Sequence, residues 1–181
     1  MNIKTTMVIV TLLILLFVPI TFLSCSKSES KSNMSSPLVL RNGLLFKDSL
    51  STTPFTGRNK SKMLDQTIEY DVVDGIKSGD FIIYHKNGKV QMQGTMTNNL
   101  NIGEWKYYRI DGTLETIGTF ENDTPSGKWQ WYYQGGKVAE EGFFNKGLRD
   151  GEWKDYDTTG KLAIIIKYKM NTVLDSINMN Q

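Results

Sequence analysis

Apolar and polar positions along this chain fall into two regimes. From Met7 to Leu23 the run is almost purely apolar, broken only by Thr11, Pro19 and Thr21. From about Pro37 onward, short stretches of alternating apolar and polar residues are separated by Gly, Asn and Asp. That is the pattern of half-buried strands joined by turns. Within this second regime the pattern repeats. Gly79, Gly103, Gly127 and Gly151 lie 24 residues apart. Two places after each comes an aromatic (Phe81, Trp105, Trp129, Trp153), and five places after each a tyrosine (Tyr84, Tyr108, Tyr132, Tyr156). A second glycine follows at nine (Gly88, Gly112, Gly136, Gly160) and an aliphatic at eleven (Val90, Leu114, Val138, Leu162). Met96, Phe120, Phe144 and Tyr168 complete the unit at seventeen. A fixed period of this length marks a tandem array in which each unit is one supersecondary element.

Each unit predicts one β-hairpin. Gly103 to Arg109 reads as a strand, Asp111-Gly112 as a turn, and Thr113 to Phe120 as the return strand. Asn87-Gly88 and Gly135-Gly136 are the equivalent turns, since such pairs tolerate the positive φ that tight hairpins need. Asn122-Asp123 and Lys146-Gly147 are expected in a longer turn between units. The fold class is therefore all-β: tandem hairpins continuing as an elongated, twisted antiparallel meander. Gly94, Gly118 and Gly142 fall among the apolar positions of the return strands. A strand-interior glycine weakens a strand unless something needs the space, so a Trp ring from the neighbouring strand is expected over each. The Trp and Tyr columns differ by three places. Either they occupy opposite faces, or a bulge re-aims one of them.

The ends of the array are atypical, as terminal repeats usually are. Val39 to Phe46 reads as a hairpin with Asn42-Gly43 at its turn, and a degenerate unit begins at Pro54-Phe55-Thr56-Gly57. At the other end Ala163-Ile164-Ile165-Ile166 is apolar on both faces, with Ile166 in the glycine column. Val173, Leu174 and Ile177 have helical spacing and predict a short capping turn or helix. The resulting division is a leader at 1–24, a tether at 25–36, a hairpin plus degenerate repeat at 37–78, four repeats at 79–174, and a frayed tail at 175–181. The leader is read as disordered or helical.

Lys4 and the apolar run have the form of an export signal. Cys25, the only cysteine, follows at once, so no intramolecular disulfide is possible. Phe22-Leu23-Ser24-Cys25 resembles a bacterial lipobox. The resemblance implies cleavage before Cys25, a diacylglycerol on its sulfur and an acylated amino group. It also implies a lipid-anchored protein of the bacterial cell envelope, on the outer membrane because Ser26 rather than Asp follows. Ser26 to Ser36 is polar and Ser-rich, which suits a flexible tether.

The unit Gly-x-Trp-x-x-Tyr-x-x-x-Gly-x-aliphatic is similar to the variant MORN repeat. Its clearest copies are Gly103-Glu104-Trp105-Lys106-Tyr107-Tyr108 and Gly127-Lys128-Trp129-Gln130-Trp131-Tyr132, with Pro54-Phe55-Thr56-Gly57 as a typical start. The resemblance spans roughly residues 38–170 and implies stacked hairpins. It also implies a protein-interaction or membrane-association role, and some members carry the label of YwqK-type antitoxins. Phe81 in place of Trp is a departure.

Composition narrows the chemistry. Net charge is +2 with both signs mixed, which argues against a dedicated nucleic-acid binder. His85 is the only histidine, so neither a zinc site nor a His-based catalytic group is expected. The glycines follow the repeat and form no phosphate-binding loop. Glu140 and Glu141 point to opposite faces of a strand, whereas Asp155 and Asp157 share a parity and can lie on one. Lys128, Lys137, Lys146, Arg149 and Lys154 read as solubilising charges. No enzyme, cofactor, metal or small-molecule substrate is expected. The expected partners are the membrane, through the lipid, and an unidentified protein. The favoured role is a protein-binding or scaffolding module; an antitoxin or immunity-like role is the alternative. Tyr107, Trp131, Tyr132 and Tyr133 are the candidate contact residues.

Overall fold

A computed structural model describes residues 34–179, all within one compact unit, Ser32–Gln181. The leader, Cys25 and most of the tether lie outside the described residues. Thirteen strands and no helix occur among those described. A small hairpin comes first, β1 (Val39–Arg41) and β2 (Leu44–Phe46), turning at Asn42-Gly43 as expected. Then follow β3 (Gly57–Met63), β4 (Gln66–Val73), β5 (Ile76–Tyr84), β6 (Val90–Thr97), β7 (Leu100–Tyr108), β8 (Leu114–Glu121), β9 (Thr124–Tyr132), β10 (Val138–Asn145), β11 (Leu148–Tyr156), β12 (Leu162–Lys169) and β13 (Thr172–Asn178). β3 to β13 form one 11-stranded antiparallel sheet in strict chain order. Each strand pairs with its sequence neighbours, so the meander read from the 24-residue period is the fold.

The turns reverse one expectation. The longer turn lies within the unit: five residues, Arg109–Thr113, join β7 to β8. Arg109 N donates to Thr113 O and Gly112 N to Arg109 O, at 2.9 and 2.8 Å. Between units only two residues intervene: Asn98-Asn99 (φ 53°, 64°), Asn122-Asp123 (49°, 63°) and Lys146-Gly147 (50°, 80°). Positive φ at both central residues gives the tight turn whose twist matches the strands. Asn and Asp are the non-glycine residues that visit this left-handed region most readily.

Those short turns are also tied to the unit before. The second turn residue donates its N–H to a carbonyl 22 residues earlier: Asn99 to Lys77, Asp123 to Asn101, Gly147 to Pro125 and Asn171 to Arg149, at 2.8–3.0 Å. Its side chain returns the bond. Lys77 N donates to Asn99 Oδ1 at 2.9 Å, and Asn101 N to Asp123 Oδ1 and Arg149 N to Asn171 Oδ1, both at 2.7 Å. The one exception matches on both sides: Pro125 has no N–H to donate, and Gly147 has no side chain to accept.

The C-terminal helix or capping turn expected from Val173, Leu174 and Ile177 does not form. Met170-Asn171 makes another two-residue turn with positive φ, and β13 pairs with β12 across the boundary placed at 174. Thr172, Val173 and Ile177 are β-branched, and an open strand edge decides in favour of pairing. At the start of the array, β1 and β2 pack where β4 turns into β5. Leu45 N donates to Gly75 O and Gly75 N to Phe55 O. A Cβ on Gly75 would meet Leu44 Cβ at 2.9 Å. Phe46 is buried there.

Candidate binding faces of the sheet

The tryptophans owe their position to a bulge. Between β6 and β7 the register passes from Gln93 opposite Lys106 to Thr95 opposite Ile102, so Gly103, Glu104 and Trp105 together oppose Gly94. Gly103 holds φ of 65°, as does Gly127 in the next unit. This left-handed conformation is the one glycine adopts without cost. The bulge lays the indole over the neighbouring glycine. A Cβ on Gly94 would sit 2.2 Å from Trp105, one on Gly118 2.1 Å from Trp129, and one on Gly142 2.2 Å from Trp153. On its other side Trp105 stands directly opposite Gly118. Set between two bare backbone positions, Trp105 is only 1% exposed even in a single-layer sheet. Trp153 lies over Gly142 and stands opposite Ile166, and is 0% exposed. In the first unit both sizes change: Tyr70 takes the glycine position, and the smaller Phe81 stacks on it at 6.1 Å.

These rings form an unbroken row across the sheet. Tyr70, Phe81, Trp105, Phe120, Trp129, Phe144, Trp153 and Tyr168 follow one another at centroid distances of 5.0–6.1 Å. Most contacts are edge-to-face, the arrangement the ring quadrupole favours. The indole N–H of Trp129 donates to Thr119 O at 3.1 Å, and that of Trp153 to Phe143 O at 3.2 Å. The Trp105 N–H is buried with no partner among the described residues. Cations lie over both ends of the row. Arg149 sits 3.8 Å from the Trp153 ring centre and pairs with Glu140 at 3.0 Å. Lys77 lies over Tyr70 and Phe81, and burial pulls its pKa down.

The tyrosine column occupies the opposite face, which settles the alternative left open by the spacing. Tyr84 donates to Glu69 Oε2 at 2.8 Å and Tyr156 to Glu141 Oε1 at 2.9 Å. Both glutamates alternate with residues of the tryptophan face. Burial works against the Glu69 carboxylate, but hydrogen bonds from Lys60, Arg58 and Tyr84 outweigh it and hold the pKa down at about 2. Glu141 is lowered against the same opposition by Lys128, Tyr156 and Gln130. Two shallow grooves of about 270 Å³ mark this face. Asp80, Gln93, Glu104 and Lys106 border one. Lys128, Glu141, Phe143 and Lys154 border the other, two units on.

The candidate contact residues do not assemble into one patch. Tyr107 is half-buried on the tryptophan face, where burial pushes its phenol up to about 12. Trp131 lies on the same face, between Trp129 and Trp153 at 5.8 and 5.6 Å. Tyr132 belongs to the tyrosine face. Tyr133 stands in a turn, and its hydroxyl donates to Tyr156 O at 2.7 Å. That last bond belongs to a column the sequence reading missed. Arg109 makes the equivalent bond to Tyr132 O, and His85 Nε2 meets Tyr108 O at 2.8 Å. His, Arg and Tyr do one job there, so no shared residue type signals it.

The acidic residues separate as well. Glu140 faces Arg149, and Glu141 faces Lys128 from the other side of the strand. The shared face expected for Asp155 and Asp157 is not realised. Asp157 lies in the turn beyond β11, where Oδ1 accepts from Thr159 N and Lys161 N. Among the described residues no group of three His, Cys, Asp or Glu is placed to hold a metal ion. No helix among them is long and apolar enough to cross a membrane.

Three segments, residues 77–98, 125–146 and 149–170, match the family described as MORN repeat variant. The chain carries variant MORN repeats. The matched segments coincide with the hairpins β5–β6, β9–β10 and β11–β12. The hairpin β7–β8 lies between them and holds the same columns. No curated protein matches the chain. Among solved structures it is similar to a chain in one titled "Crystal structure of GtfA/B complex bound to UDP and GlcNAc", at 11% identity and a TM-score of 0.20. The alignment covers 77% of this chain and 24% of that one, so this chain spans about a quarter of its length.

Proposed function

We propose that this MORN-repeat chain is a protein-binding or scaffolding module of a bacterial cell envelope, held to the outer membrane by a lipid on Cys25. It works without cofactor or metal and is not an enzyme. The observation that carries the reading is the row of rings. In the 11-stranded sheet the rings touch from Tyr70 to Tyr168, with Tyr107 and Trp131 half-buried beside it. Aromatic residues supply large contact area at little entropic cost and are favoured at interfaces. The grooves on the opposite face are shallow and lined by charges already paired, as Lys128 is with Glu141, which suits a surface better than a reaction centre.

Photo-crosslinking in intact cells tests this. A benzophenone amino acid at Tyr107 or Trp131 should trap one envelope protein, and the same probe at exposed Leu64 should not. Equal, diffuse labelling from all three positions would remove the interface. Metabolic labelling with an alkyne fatty acid tests the anchor. Label is expected on the wild-type chain and absent from Cys25→Ser.

A further inference from the structure

The two grooves of the tyrosine face lie at equivalent places two units apart, and they differ in what the fold leaves over. In the first, Lys106 is paired with Glu104 at 2.9 Å, and Thr95 lies beside them. In the second the same positions are Lys154, Glu152 and Phe143. Most charges there are spoken for. Glu152 pairs with Lys167 at 3.8 Å. Glu141, which stands directly across from Lys154, is bonded elsewhere: its Oε2 accepts from Lys128 and Gln130 and its Oε1 from Tyr156, all at 2.9 Å. Lys154 is the exception. It is half-buried, and its ammonium has no ion pair or hydrogen bond among the described residues.

Phe143 is the second group left over. Its column in the other units holds Thr95, Thr119 and Lys167, so the repeat does not call for a phenyl there. The part it plays in the fold is made by its carbonyl, which accepts from the Trp153 indole and which any residue supplies. The ring itself is 53% exposed, on the face opposite the ring row and directly across from Lys128. An open aromatic ring bordered by charged groups is the arrangement that concentrates binding energy at protein interfaces.

We propose that the groove over β10 on the tyrosine face binds an acidic segment of a partner protein, with a carboxylate side chain on Lys154 and a neighbouring apolar side chain on Phe143. The lining selects this chemistry. Lys128 and Lys154 are balanced by Glu141 and Glu152, so the groove has no excess of positive charge to hold a polyanion such as a nucleic acid or an anionic lipid surface. One ammonium without a counter-charge matches one carboxylate. The exposed part of the phenyl gains by covering from an apolar side chain next to that carboxylate. Glu152, half-exposed, accepts from the N–H groups that a peptide brings and a simple anion does not. The first groove lacks both features, since Lys106 is already paired and Thr95 offers no ring. The proposal goes beyond the binding role above, concerns the opposite face of the sheet, and does not depend on the ring row.

Amide NMR spectra of the isotope-labelled full chain in detergent micelles test it. The probe is a blocked tripeptide of leucine, glutamate and leucine, and its twin carries glutamine in place of glutamate. The acidic probe should shift the amides of Lys128, Gly142 and Lys154 saturably, and bind several-fold more tightly than the neutral twin. Added salt should narrow that difference. Lys154→Gln should bring the acidic probe down to the level of the neutral one. Phe143→Thr, which restores the residue of the earlier units, should weaken both. Lys106→Gln, in the first groove, should change neither, and the spectra of all three variants report directly that they are folded. Equal affinity for the two peptides would overturn the proposal. So would a Lys154→Gln chain that binds as the wild type does, or no shift at Gly142 up to the solubility of the probe. Inorganic phosphate that displaces the acidic probe would make the groove an anion site of another kind and overturn it too. Shifts confined to Tyr107 and Trp131 would overturn it while favouring the ring row, so the two readings fail separately.

Discussion

Replacing Gly118 by alanine tests the contact on which the MORN array is built. Gly118 does not occupy positive φ, so its backbone accepts an L side chain without strain. Elsewhere such a change stabilises by about 0.4–1 kcal/mol, because the unfolded chain loses freedom. Here the new methyl group would lie 2.1 Å from Trp129 Cδ2 and 2.3 Å from Cε2, well inside contact distance. The indole must lift from the sheet. Overpacking of this kind costs about 1–3 kcal/mol. The hydrogen bond from Trp129 to Thr119 O, at 3.1 Å, is lost with it, for roughly 1 kcal/mol more. The ring contacts with Phe120 and Phe144, at 5.2 and 5.7 Å, add about 0.5–1.5 kcal/mol each. Less the entropic gain, the sum is on the order of 2–7 kcal/mol, a large part of the stability of a domain this size. Gly135 is the control: it too avoids positive φ, and its Cβ would meet nothing within 4 Å. Urea unfolding followed by tryptophan emission should place Gly135→Ala level with the wild type and Gly118→Ala far below it. Adding Trp129→Phe to Gly118→Ala should recover part of the loss, as Phe81 over Tyr70 already does in the first unit. Equal midpoints for the two alanine variants would refute the reasoning.

Three further outcomes follow from the geometry. Pro125→Ala frees an N–H with no acceptor, and Gly147→Asn adds an acceptor with no donor. Each should cost up to about 1 kcal/mol, and a double-mutant cycle should show the pair recovering at least about 0.5 kcal/mol. Glu69 has its folded pKa lowered from an ordinary 4.5 to about 2. Its contribution is therefore complete above 4.5 and lost as pH falls toward 2; acid titration of the melting temperature should be shallower in that window for Glu69→Gln. Arg149→Gln removes the cation over Trp153 and leaves Glu140 without its ion pair. It should lower stability by about 1–2 kcal/mol, and added salt should narrow the gap to the wild type.

How much of this was legible in the sequence depends on whether a residue type signals its own role. The Trp105–Gly94 contact was legible because a glycine inside a strand and a tryptophan at fixed spacing each need an explanation, and one contact supplies both. The tyrosine column was legible up to its face, because alternation leaves two answers and only the position of the bulge chooses. The turns misled because Asp111-Gly112 carries the strongest two-residue signal yet sits in the five-residue loop. Asn122-Asp123 forms the tight turn, and what favours it there is remote. The Asp123 carboxylate accepts from Asn101 N at 2.7 Å, a partner no local window contains. The C-terminal segment misled in the same way, since the spacing of Val173 and Ile177 suits a helix until β12 offers an unpaired edge.

The contact residues show the deeper limit. Tyr107 and Trp131 stand at a position that holds Ile83 and Asp155 in the other two units, and such variation between units suggests a free surface. Trp131 is a half-buried ring wedged between two tryptophans, so only its outer part is open to a partner, and Tyr133, Arg109 and His85 are three chemical answers to one carbonyl position. In an array whose units bond only to their neighbours, stability is a sum of local and adjacent-unit terms. A position can then change residue type and keep its task, provided the neighbouring unit still presents the same atom. Pro125 and Gly147 carry that logic furthest. Two residues 22 apart have lost donor and acceptor together, so the bond is missing without any group left wanting it. Within this MORN array, variation between units marks interaction with a partner only where no neighbouring unit has already taken the side chain.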